Sequence, residues 1–292
     1  MRDSKLILVV FVAFLVIIIC LYLIPAVIIF LNSFFSKDLG GTSFFVGLNN
    51  FINVINDPHF YNSLVATFLF TLFSVTIQVI FALGLALLVY RKFSGVNVLH
   101  WIFLSPYFLP TIVIVIAWNF FTDPSFGIIT SVMTKLGFGV IDFRNPHYAI
   151  WGMLAVSIYE AFPFCFALFL ARLLQLPPQL YLIADLDRTN LIKKFTHITW
   201  PQIKNIFWGL FLLRLFITAL KFDVPYLVYG YRGKTFWSET FSVWVYRTAF
   251  EELDKGKAFA AAFLVLLSIS ISLTLLYKFI YKRNVAEDES LL

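Results

Sequence analysis

The chain has 292 residues, of which 61% are hydrophobic and only 13% are charged, and its mean hydropathy is +0.88. A soluble domain carries about a quarter charged residues, so this composition excludes an ordinary soluble domain and indicates a membrane protein. The net charge of +6 does not indicate nucleic-acid binding, because the sequence contains no basic run. Cys20 and Cys165 both lie inside apolar runs, which is typical of small apolar fillers rather than of a disulfide or a metal site.

Six apolar segments are long enough to be membrane-spanning helices, which need roughly 20 mostly apolar residues. They cover approximately residues 6–31, 61–90, 98–121, 148–174, 206–228 and 258–280. The first is longer than the apolar region of a signal peptide, about 7–15 residues, and no small-residue cleavage site follows it. The sequence therefore predicts an all-α integral membrane protein with six transmembrane helices.

Prolines are predicted to bend two of these spans, because proline lacks a backbone N–H and interrupts the hydrogen-bond ladder of a helix. Pro25 predicts a kink in the first span, and Pro106 and Pro110 predict breaks in the third. In lipid, such breaks persist only where neighbouring helices or a cavity satisfy the freed carbonyl groups.

Positive charges flank the spans unevenly. If the six helices alternate across the bilayer, one side carries Arg2, Lys5, Arg91, Lys92, Lys193, Lys194, Lys282 and Arg283. The first two loops on the other side carry only Lys37, Lys135 and Arg144. Since short cytoplasmic loops are enriched in Lys and Arg, both termini are predicted to be cytoplasmic. The cation-rich loop after the fifth span argues against this orientation, but it is longer and also acidic, and long loops count less.

The predicted organisation has three parts. Residues 1–60 form the first transmembrane helix and an extracytoplasmic loop, residues 61–281 form a core of five transmembrane helices, and residues 282–292 form a cytoplasmic tail. The core contains a polar interval on the cytoplasmic side, residues 176–204, which we call the central loop.

Enzymatic signatures are missing from the sequence. The four histidines are scattered, so no metal site is predicted. Gly233, Lys234 and Thr235 resemble the end of a phosphate-binding loop, but Val228 stands where that loop needs another glycine. The chain is therefore predicted to be a non-catalytic protein without a cofactor of its own.

Ionisable side chains within the predicted spans are candidates for function, because a charge at mid-bilayer costs at least ~2.5–3.5 kcal/mol and usually faces a bundle interior or water. They are Glu160, Arg214, Lys221 and Asp223. These residues predict either a polar translocation path or a structural ion pair, for example Glu160 with Arg214, and both interpretations stay open. Trp118 and Tyr159, close to these charges, suit either the binding of a sugar ring or the aromatic belts of a membrane protein.

The central loop has the pattern of two short helices. One apolar stripe at helical spacing is formed by Leu191, Phe195 and Ile198. Thr189 or Asn190 can cap the start of that helix, and Pro201 is predicted to end it. Residues 180–186 can form another short helix ahead of it. The pair predicts either a compact docking knob on the cytoplasmic face or an ordinary amphipathic connector.

The spacing within the central loop resembles the EAA loop in permease subunits of type I ATP-binding-cassette (ABC) importers. That loop usually reads Glu-Ala-Ala, two residues, Asp-Gly-Ala, then Phe, Ile-Thr and Pro at fixed distances. The residues that stand in this register are Ala184, Asp187, Phe195, Ile198, Thr199 and Pro201. Similarity to the maltose-type sugar permeases continues outside the loop in short segments, including residues 45–51, 105–106, 109–110, 163–164, 222–223 and 246–250.

Two departures from the EAA pattern affect the expected docking. Leu182 stands at the glutamate position and cannot make the charged contact that the family makes with its ATPase, although Asp185 is available as a partial replacement. Arg188 stands at the glycine position, so the turn must either avoid positive φ or be strained. The sequence therefore predicts a divergent loop that docks more by apolar packing than by charge.

The resemblance implies an importer permease in a bacterial inner membrane. Its implied partners are a second related permease, two copies of an ATPase that binds and hydrolyses ATP, and an extracytoplasmic solute-binding protein. The implied cargo is a sugar or sugar-like solute such as an oligosaccharide, a polyol or glycerol phosphate. The implied ATPase-coupling residues are Ala184, Asp185, Asp187, Arg188, Phe195, Ile198 and Pro201.

Two other classes of protein fit the sequence less well. An ion-driven secondary transporter typically has internal repeats and its own coupling carboxylates, but no repeat is evident in the sequence. An integral-membrane enzyme acting on lipid needs an acid–base or metal cluster near one interface, and none is visible in the sequence.

Overall fold

The computed structural model describes residues 11–37, 42–91, 93–143, 145, 148–229 and 239–271. Within these ranges the regular secondary structure is helical apart from one antiparallel pair of strands, β1 (Phe35–Lys37) and β2 (Ser43–Phe45), and turns and irregular segments connect the elements. The helices are α1 (Phe11–Asn32), α2 (Asn49–Ile55), α3 (Pro58–Val89), α4 (Val96–Leu104), α5 (Thr111–Phe121), α6 (Ile128–Lys135), α7 (Ala149–Leu174), α8 (Pro178–Leu186), α9 (Leu191–Lys194), α10 (Trp200–Ala219), α11 (Asp223–Val228), α12 (Phe241–Phe250) and α13 (255–271).

Three helices of the described chain are long and apolar enough to cross a membrane, namely α1, α3 and α7. They correspond to the predicted first, second and fourth spans, except that residues 6–10 of the first lie outside the described residues. The predicted sixth span begins in α13, and its residues beyond 271 also lie outside the described chain.

The predicted third and fifth spans are interrupted. In the third, α4 passes through a 3-10 turn at Ser105–Phe108 and then α5 leaves at an angle of 102°. Pro106 lies in this turn and Pro110 directly precedes α5, so the break falls where the two prolines predict it. In the fifth, α10 ends at Ala219 and a short α11 follows, which leaves Lys221 in the non-helical connection.

Two prolines are accommodated by π-helical turns. A π turn at Ile19–Leu23 precedes Pro25 inside α1, and a second at Phe195–Thr199 joins α9 to α10 ahead of Pro201. The prediction that Pro201 ends the helix is therefore wrong, because Trp200 has helical dihedral angles (φ −57°, ψ −47°) and α10 continues through the proline. A π turn widens the helix by one residue, which makes room for a proline that cannot join the regular ladder.

The chain divides into two compact units, which are described separately. The larger covers Tyr61–Val243 and has its main apolar core between α3, α7 and α10. On α3, the buried residues Val75, Val79, Ala82 and Ala86 recur at helical spacing and form one face. They pack with a row of fully buried α7 residues that includes Phe166 and Phe169.

The smaller unit combines the residues before Tyr61 with those from Trp244 onward. Asn50 of α2 is buried, and its amide donates hydrogen bonds to the carbonyl oxygens of Ser33 (2.9 Å) and Phe35 (3.0 Å). Gly256 of α13 packs so closely here that a β-carbon would overlap the Phe35 carbonyl oxygen. Lys257 pairs with Asp57 at 2.6 Å. Burial raises the pKa of Asp57, but the hydrogen bonds from Lys257 and from the backbone N–H of His59, together with the positive charge of Lys257, outweigh burial and hold that pKa below its ordinary value.

Candidate functional site

A polar pocket of about 230 Å³ lies inside the larger unit, where α7, α10 and the segment before α5 meet. Three of its lining residues are ionisable side chains that the sequence singles out: Glu160, Arg214 and Lys221. The other lining residues include Tyr107, Ala161 and Ile217. Charges so enclosed in a bundle of apolar helices indicate a functional site or a compensated structural network.

Glu160 is held on both of its carboxylate oxygens. Lys221 Nζ lies 2.8 Å from Oε2, and the Thr111 hydroxyl donates to Oε1 at 3.0 Å. The ion pair is largely buried, with side-chain exposures of 12% for Lys221 and 21% for Glu160. Asp223 approaches the same ammonium group at 3.8 Å and also accepts the backbone N–H of Val224. The ion pair in the pocket is therefore formed by Glu160 with Lys221, and not with Arg214.

Arg214 has a different environment. Its side chain is 8% exposed, and its Nε donates a 3.1 Å hydrogen bond to the amide oxygen of Gln78 on α3. No carboxylate among the described residues lies within ion-pairing distance of its guanidinium. Gln78 is fully buried, and its Nε2 finds no acceptor in the described part of the chain. The Arg214 end of the pocket is therefore rich in donors and poor in acceptors.

Trp118 and Tyr159 do not line the polar pocket. They face a separate apolar pocket of about 440 Å³, lined by α5 and α7 with side chains such as Val113, Ala117 and Val156. Among the described residues, no charged side chain lines this cavity. The structure therefore separates the predicted path residues into a charged group and an aromatic group.

The central loop contains the two helices that the sequence predicts, but the second, α9, continues through the π turn into α10 and does not end before Pro201. Asn190 is the N-cap of α9, where its side-chain oxygen accepts the N–H of Lys193 at 2.8 Å. The hydroxyls of Tyr181 on α8 and Thr199 in the π turn share a 2.9 Å hydrogen bond. Lys194 forms an ion pair with Asp185, which joins the two helices at the surface. The Lys194 hydrogen bond lowers the pKa of Asp185.

Arg188 ends α8 in a left-handed conformation with φ of 52°. The Thr189 N–H donates to the Ala184 carbonyl (3.0 Å) and the Arg188 N–H donates to the Asp185 carbonyl (3.1 Å). This is the Schellman pattern, in which glycine usually occupies the left-handed position. Of the two possibilities predicted for Arg188, the structure shows the strained turn.

The outer surface of the central loop is apolar. Five large apolar side chains are more than half exposed: Leu182 (62%), Ile183 (58%), Leu186 (84%), Leu191 (75%) and Ile192 (73%). They lie among charged neighbours, including Asp187 and Lys193. Ala184 is buried, whereas Ile198 lines a hollow between the helices and Phe195 packs towards the main core. Apolar side chains exposed beside charged residues are typical of a protein–protein or membrane interaction surface.

Three residues around the polar pocket were missed in the sequence. Gln78 is a single amide in an apolar span, and Thr111 and Tyr107 are ordinary residues around the proline break. An intramembrane amide is a detectable signal, since a buried polar group needs a partner. Thr111 and Tyr107 carry no such signal, because only the bend between α4 and α5 brings them to Glu160.

The fold and the pocket define the class of protein. Long apolar helices that enclose a charged cavity are typical of a membrane transport protein. Within the described ranges, no three His, Cys, Asp or Glu side chains come together as metal ligands would.

Comparison with known proteins gives the family. No protein-family profile matches the chain. It is 31% identical over 250 residues to the sulfoquinovosyl glycerol transport system permease protein SmoG of Agrobacterium fabrum, covering 84% of this chain and 80% of the relative. It is 28% identical over 247 residues to the sn-glycerol-3-phosphate transport system permease protein UgpA of Yersinia pestis, covering 84% and 83%.

Solved structures share the fold over nearly the whole chain. A bacterial ABC transporter involved in the import of the acidic polysaccharide alginate matches with a TM-score of 0.82 and 18% identity, covering 97% of this chain and 96% of that one. The alginate transporter in complex with a periplasmic protein bound to alginate pentasaccharide matches with a TM-score of 0.77 and 17% identity, covering 94% and 93%. The chain belongs to the family of ABC transport system permease proteins, and the predicted family is confirmed.

Membership of this family assigns the general role of the chain. It is a permease subunit of an ABC importer in the inner membrane of the cell, and neither an ion-driven secondary transporter nor a lipid-modifying enzyme is favoured. Its relatives are transport permeases, which agrees with the predicted non-catalytic subunit.

Proposed function

We propose that this chain forms, together with a second related permease, the membrane path for a sugar or sugar-like solute. In this proposal the central loop docks on a separate ATPase, which binds and hydrolyses the ATP, and an extracytoplasmic binding protein delivers the solute. The observation that carries the proposal is the apolar exposed face of the central loop in a chain of this family.

The proposed topology has six transmembrane helices with both termini in the cytoplasm. The interrupted segments α4–α5 and α10–α11 then count as the third and fifth spans, and α13 begins the sixth. The end of α3 supports the proposed orientation, because the ring of Tyr90 lies 6.2 Å from that of Tyr181 on the central loop. Arg91 and Lys194 line one surface hollow there, so predicted cytoplasmic cations meet at one end of the bundle.

The proposed domain division keeps residues 1–60 as an N-terminal span with its extracytoplasmic loop. Residues 61–281 form the transport core and residues 282–292 a cytoplasmic tail. Support for a boundary near residue 60 comes from the larger compact unit, which begins at Tyr61.

The proposed coupling surface combines packing and geometry. Leu186 and Leu191 are the most exposed of its apolar side chains, and burying such residues in a partner's cleft stabilises docking by roughly 1.5–3 kcal/mol each. Leu182, which replaces the family's glutamate, belongs to the same face. We expect the Asp185–Lys194 ion pair and the Schellman turn at Arg188 to fix the angle between the helices, so that movement of the ATPase is transmitted to α7 and α10.

The proposed cargo follows from the relatives and the pocket together. The relatives transport sulfoquinovosyl glycerol and glycerol 3-phosphate, and the structural neighbours import alginate, all of which carry several hydroxyl groups. Glu160, Lys221 and Thr111 supply the hydrogen-bonding groups that such solutes need. Trp118 and Tyr159 offer aromatic surface in the neighbouring apolar pocket.

The test is to place a charge on the proposed coupling surface. In the complex purified with its ATPase, Leu186→Asp and Leu191→Asp should release the ATPase and lower ATP-driven uptake by more than about tenfold, since each replaces apolar packing with a desolvated charge. Leu136→Asp is the matched control, because Leu136 is 69% exposed and lies outside the central loop. Membrane-inserted amounts should be equal in all three variants. Normal uptake and normal ATPase recovery in both loop variants would contradict the proposal.

A further inference from the structure

The charges of the polar pocket are unevenly compensated. Two cations, Arg214 and Lys221, and one anion, Glu160, line it. Both oxygens of Glu160 are already engaged, by Lys221 and by Thr111. Asp223 is 44% exposed and approaches Lys221 rather than Arg214. The acids described around the pocket therefore pair with the lysine, and none of them forms an ion pair with the arginine, on which Glu160 acts only at longer range.

Arg214 is oriented by the protein but not neutralised by it. The Nε–H of Arg214 donates to the amide oxygen of Gln78, and this hydrogen bond orients the arginine side chain. No other described side chain accepts a hydrogen bond from the guanidinium. The residue is only 8% exposed, yet it lines the pocket. A guanidinium cannot be deprotonated in a protein, so the positive charge persists in this apolar surrounding. A group so buried requires acceptors from outside the chain.

We infer that Arg214 receives an anionic group of the transported solute, a carboxylate, sulfonate or phosphate, as the solute passes through the polar pocket. The planar guanidinium presents parallel N–H donors that match two oxygens of such a group. Hydroxyl groups on the same solute then meet Glu160, Thr111 and Tyr107. This inference rests on the proposed transport function, and it narrows the cargo from sugar-like solutes to acidic ones.

The competing explanation is that an acidic side chain of the second permease, and not the solute, pairs with Arg214. In that case Arg214 contributes to assembly, and its removal releases the second permease from the complex. A solute site instead leaves assembly intact and gives the pocket a preference for negative charge. The two explanations therefore differ in measurements that need no knowledge of the cargo.

The pocket can be probed with charged thiol reagents in the reconstituted importer. Ile217 lines the pocket and is 43% exposed, so Ile217→Cys introduces a reactive thiol near Arg214, the pocket thiol. The background carries Cys20→Ala and Cys165→Ala, which remove both natural thiols. The probes are an anionic and a cationic methanethiosulfonate reagent. The rate at which each reagent modifies the protein thiol is divided by its rate with a small free thiol in solution, which corrects for the intrinsic reactivity of the reagent. Ala117→Cys introduces the control thiol in the apolar pocket, whose described lining carries no charge.

We expect the anionic reagent to be favoured at the pocket thiol by about tenfold, the effect of one unit charge acting at short range in a partly hydrated site. The preference should be lost with Arg214→Gln, retained with Arg214→Lys, and not seen at the control thiol. Glucuronate and glycerol 3-phosphate should protect the pocket thiol, whereas their neutral counterparts glucose and glycerol should not.

Several results would overturn the inference. They are no reaction at the pocket thiol, equal rates for the two reagents, a preference that survives Arg214→Gln, or loss of the second permease from that variant. If Arg214→Gln is not recovered in the membrane at all, so that its assembly cannot be assayed, the comparison of the pocket thiol with the control thiol in the protein that retains Arg214 still decides the charge preference. ATPase recovery and ATP-driven uptake are measured in the same samples, so failure of the transport proposal is seen separately.

Discussion

The polar pocket and the central loop both place side chains in environments that such side chains usually avoid, but the two environments are opposite. The pocket buries charges among apolar helices, whereas the loop exposes leucines and isoleucines beside charged residues. Each region also contains one lysine–carboxylate pair, Lys221 with Glu160 and Lys194 with Asp185. Both lysine side chains are 12% exposed, but the Glu160 side chain is 21% exposed and that of Asp185 is 55% exposed, so the two carboxylates lie at different depths.

This difference separates two roles for charge. In the pocket, a carboxylate without its lysine would be isolated from water, so the pair is needed for the fold as well as for any solute. On the loop, water screens the pair and its contribution is small, which leaves the exposed apolar face as the main source of docking energy.

Removing the buried lysine should have the largest effect. Lys221→Met leaves Glu160 charged and largely buried, and we expect a loss of about 3 kcal/mol in the free energy of unfolding. The double variant Glu160→Gln with Lys221→Met should recover most of that loss, because no isolated charge remains. Thermal unfolding of the purified protein in detergent measures both effects. Equal stability of the single and double variants would argue that the pair is not coupled.

Relieving the turn of the central loop should have an intermediate effect. Arg188→Gly places the residue that best tolerates φ of 52° in the Schellman turn, so we expect stabilisation by about 1 kcal/mol. ATP-driven uptake should be retained, since the angle between α8 and α9 is kept. Gly137→Ala is the control with the opposite expected effect, a lower stability. Gly137 also has positive φ (87°), and the open space around it means that only the backbone conformation opposes the added β-carbon. A lower unfolding temperature for Arg188→Gly would show that the arginine side chain makes a compensating contact.

Removing the exposed pair's lysine should have the smallest effect. Lys194→Gln should leave the unfolding temperature at pH 7 within experimental error of the parent, in contrast to Lys221→Met. A carboxylate with a lowered pKa adds stability above its unfolded-state pKa and loses it as the pH falls through the folded-state value. Any difference in unfolding temperature between the parent and Lys194→Gln should therefore vanish as the pH is lowered through the range just below the ordinary pKa of aspartate. A large difference in unfolding temperature at pH 7 would show that the Lys194–Asp185 pair contributes to stability as the Lys221–Glu160 pair does.

Much of the helical framework could be predicted from the sequence. The apolar runs that became α3 and α7 are nearly the same length in sequence and structure, because a span needs only enough apolar residues to cross lipid. The bend at Pro106 and Pro110 was equally predictable, since neither proline can donate to the ladder. The effect of Pro201 was not predictable, because a π turn accommodates it and Thr199 in that turn shares a hydrogen bond with Tyr181 on another helix, a contact that the local sequence does not reveal.

The candidate site was only partly predictable. Glu160, Arg214 and Lys221 attract attention as charges in apolar spans, but the sequence could not say which of them pair. It paired Glu160 with Arg214 as an example, whereas the break after Ala219 lets Lys221 reach the carboxylate and leaves Arg214 to Gln78. Trp118 and Tyr159 were grouped with these charges by position in sequence, yet Trp118 on α5 and Tyr159 on α7 face a different cavity.

The sequence alone is therefore enough to predict a membrane protein, the positions of its long helices and the loop that carries the docking pattern. Composition and the spacing of apolar residues suffice here, because membrane-spanning helices depend on local hydrogen bonding and on transfer into lipid. Which charges form pairs, and which cation has no ion-paired carboxylate, depends on the tertiary structure. Those partners lie far apart in sequence, as with Gln78 and Arg214, and they meet through helix breaks whose geometry depends on packing.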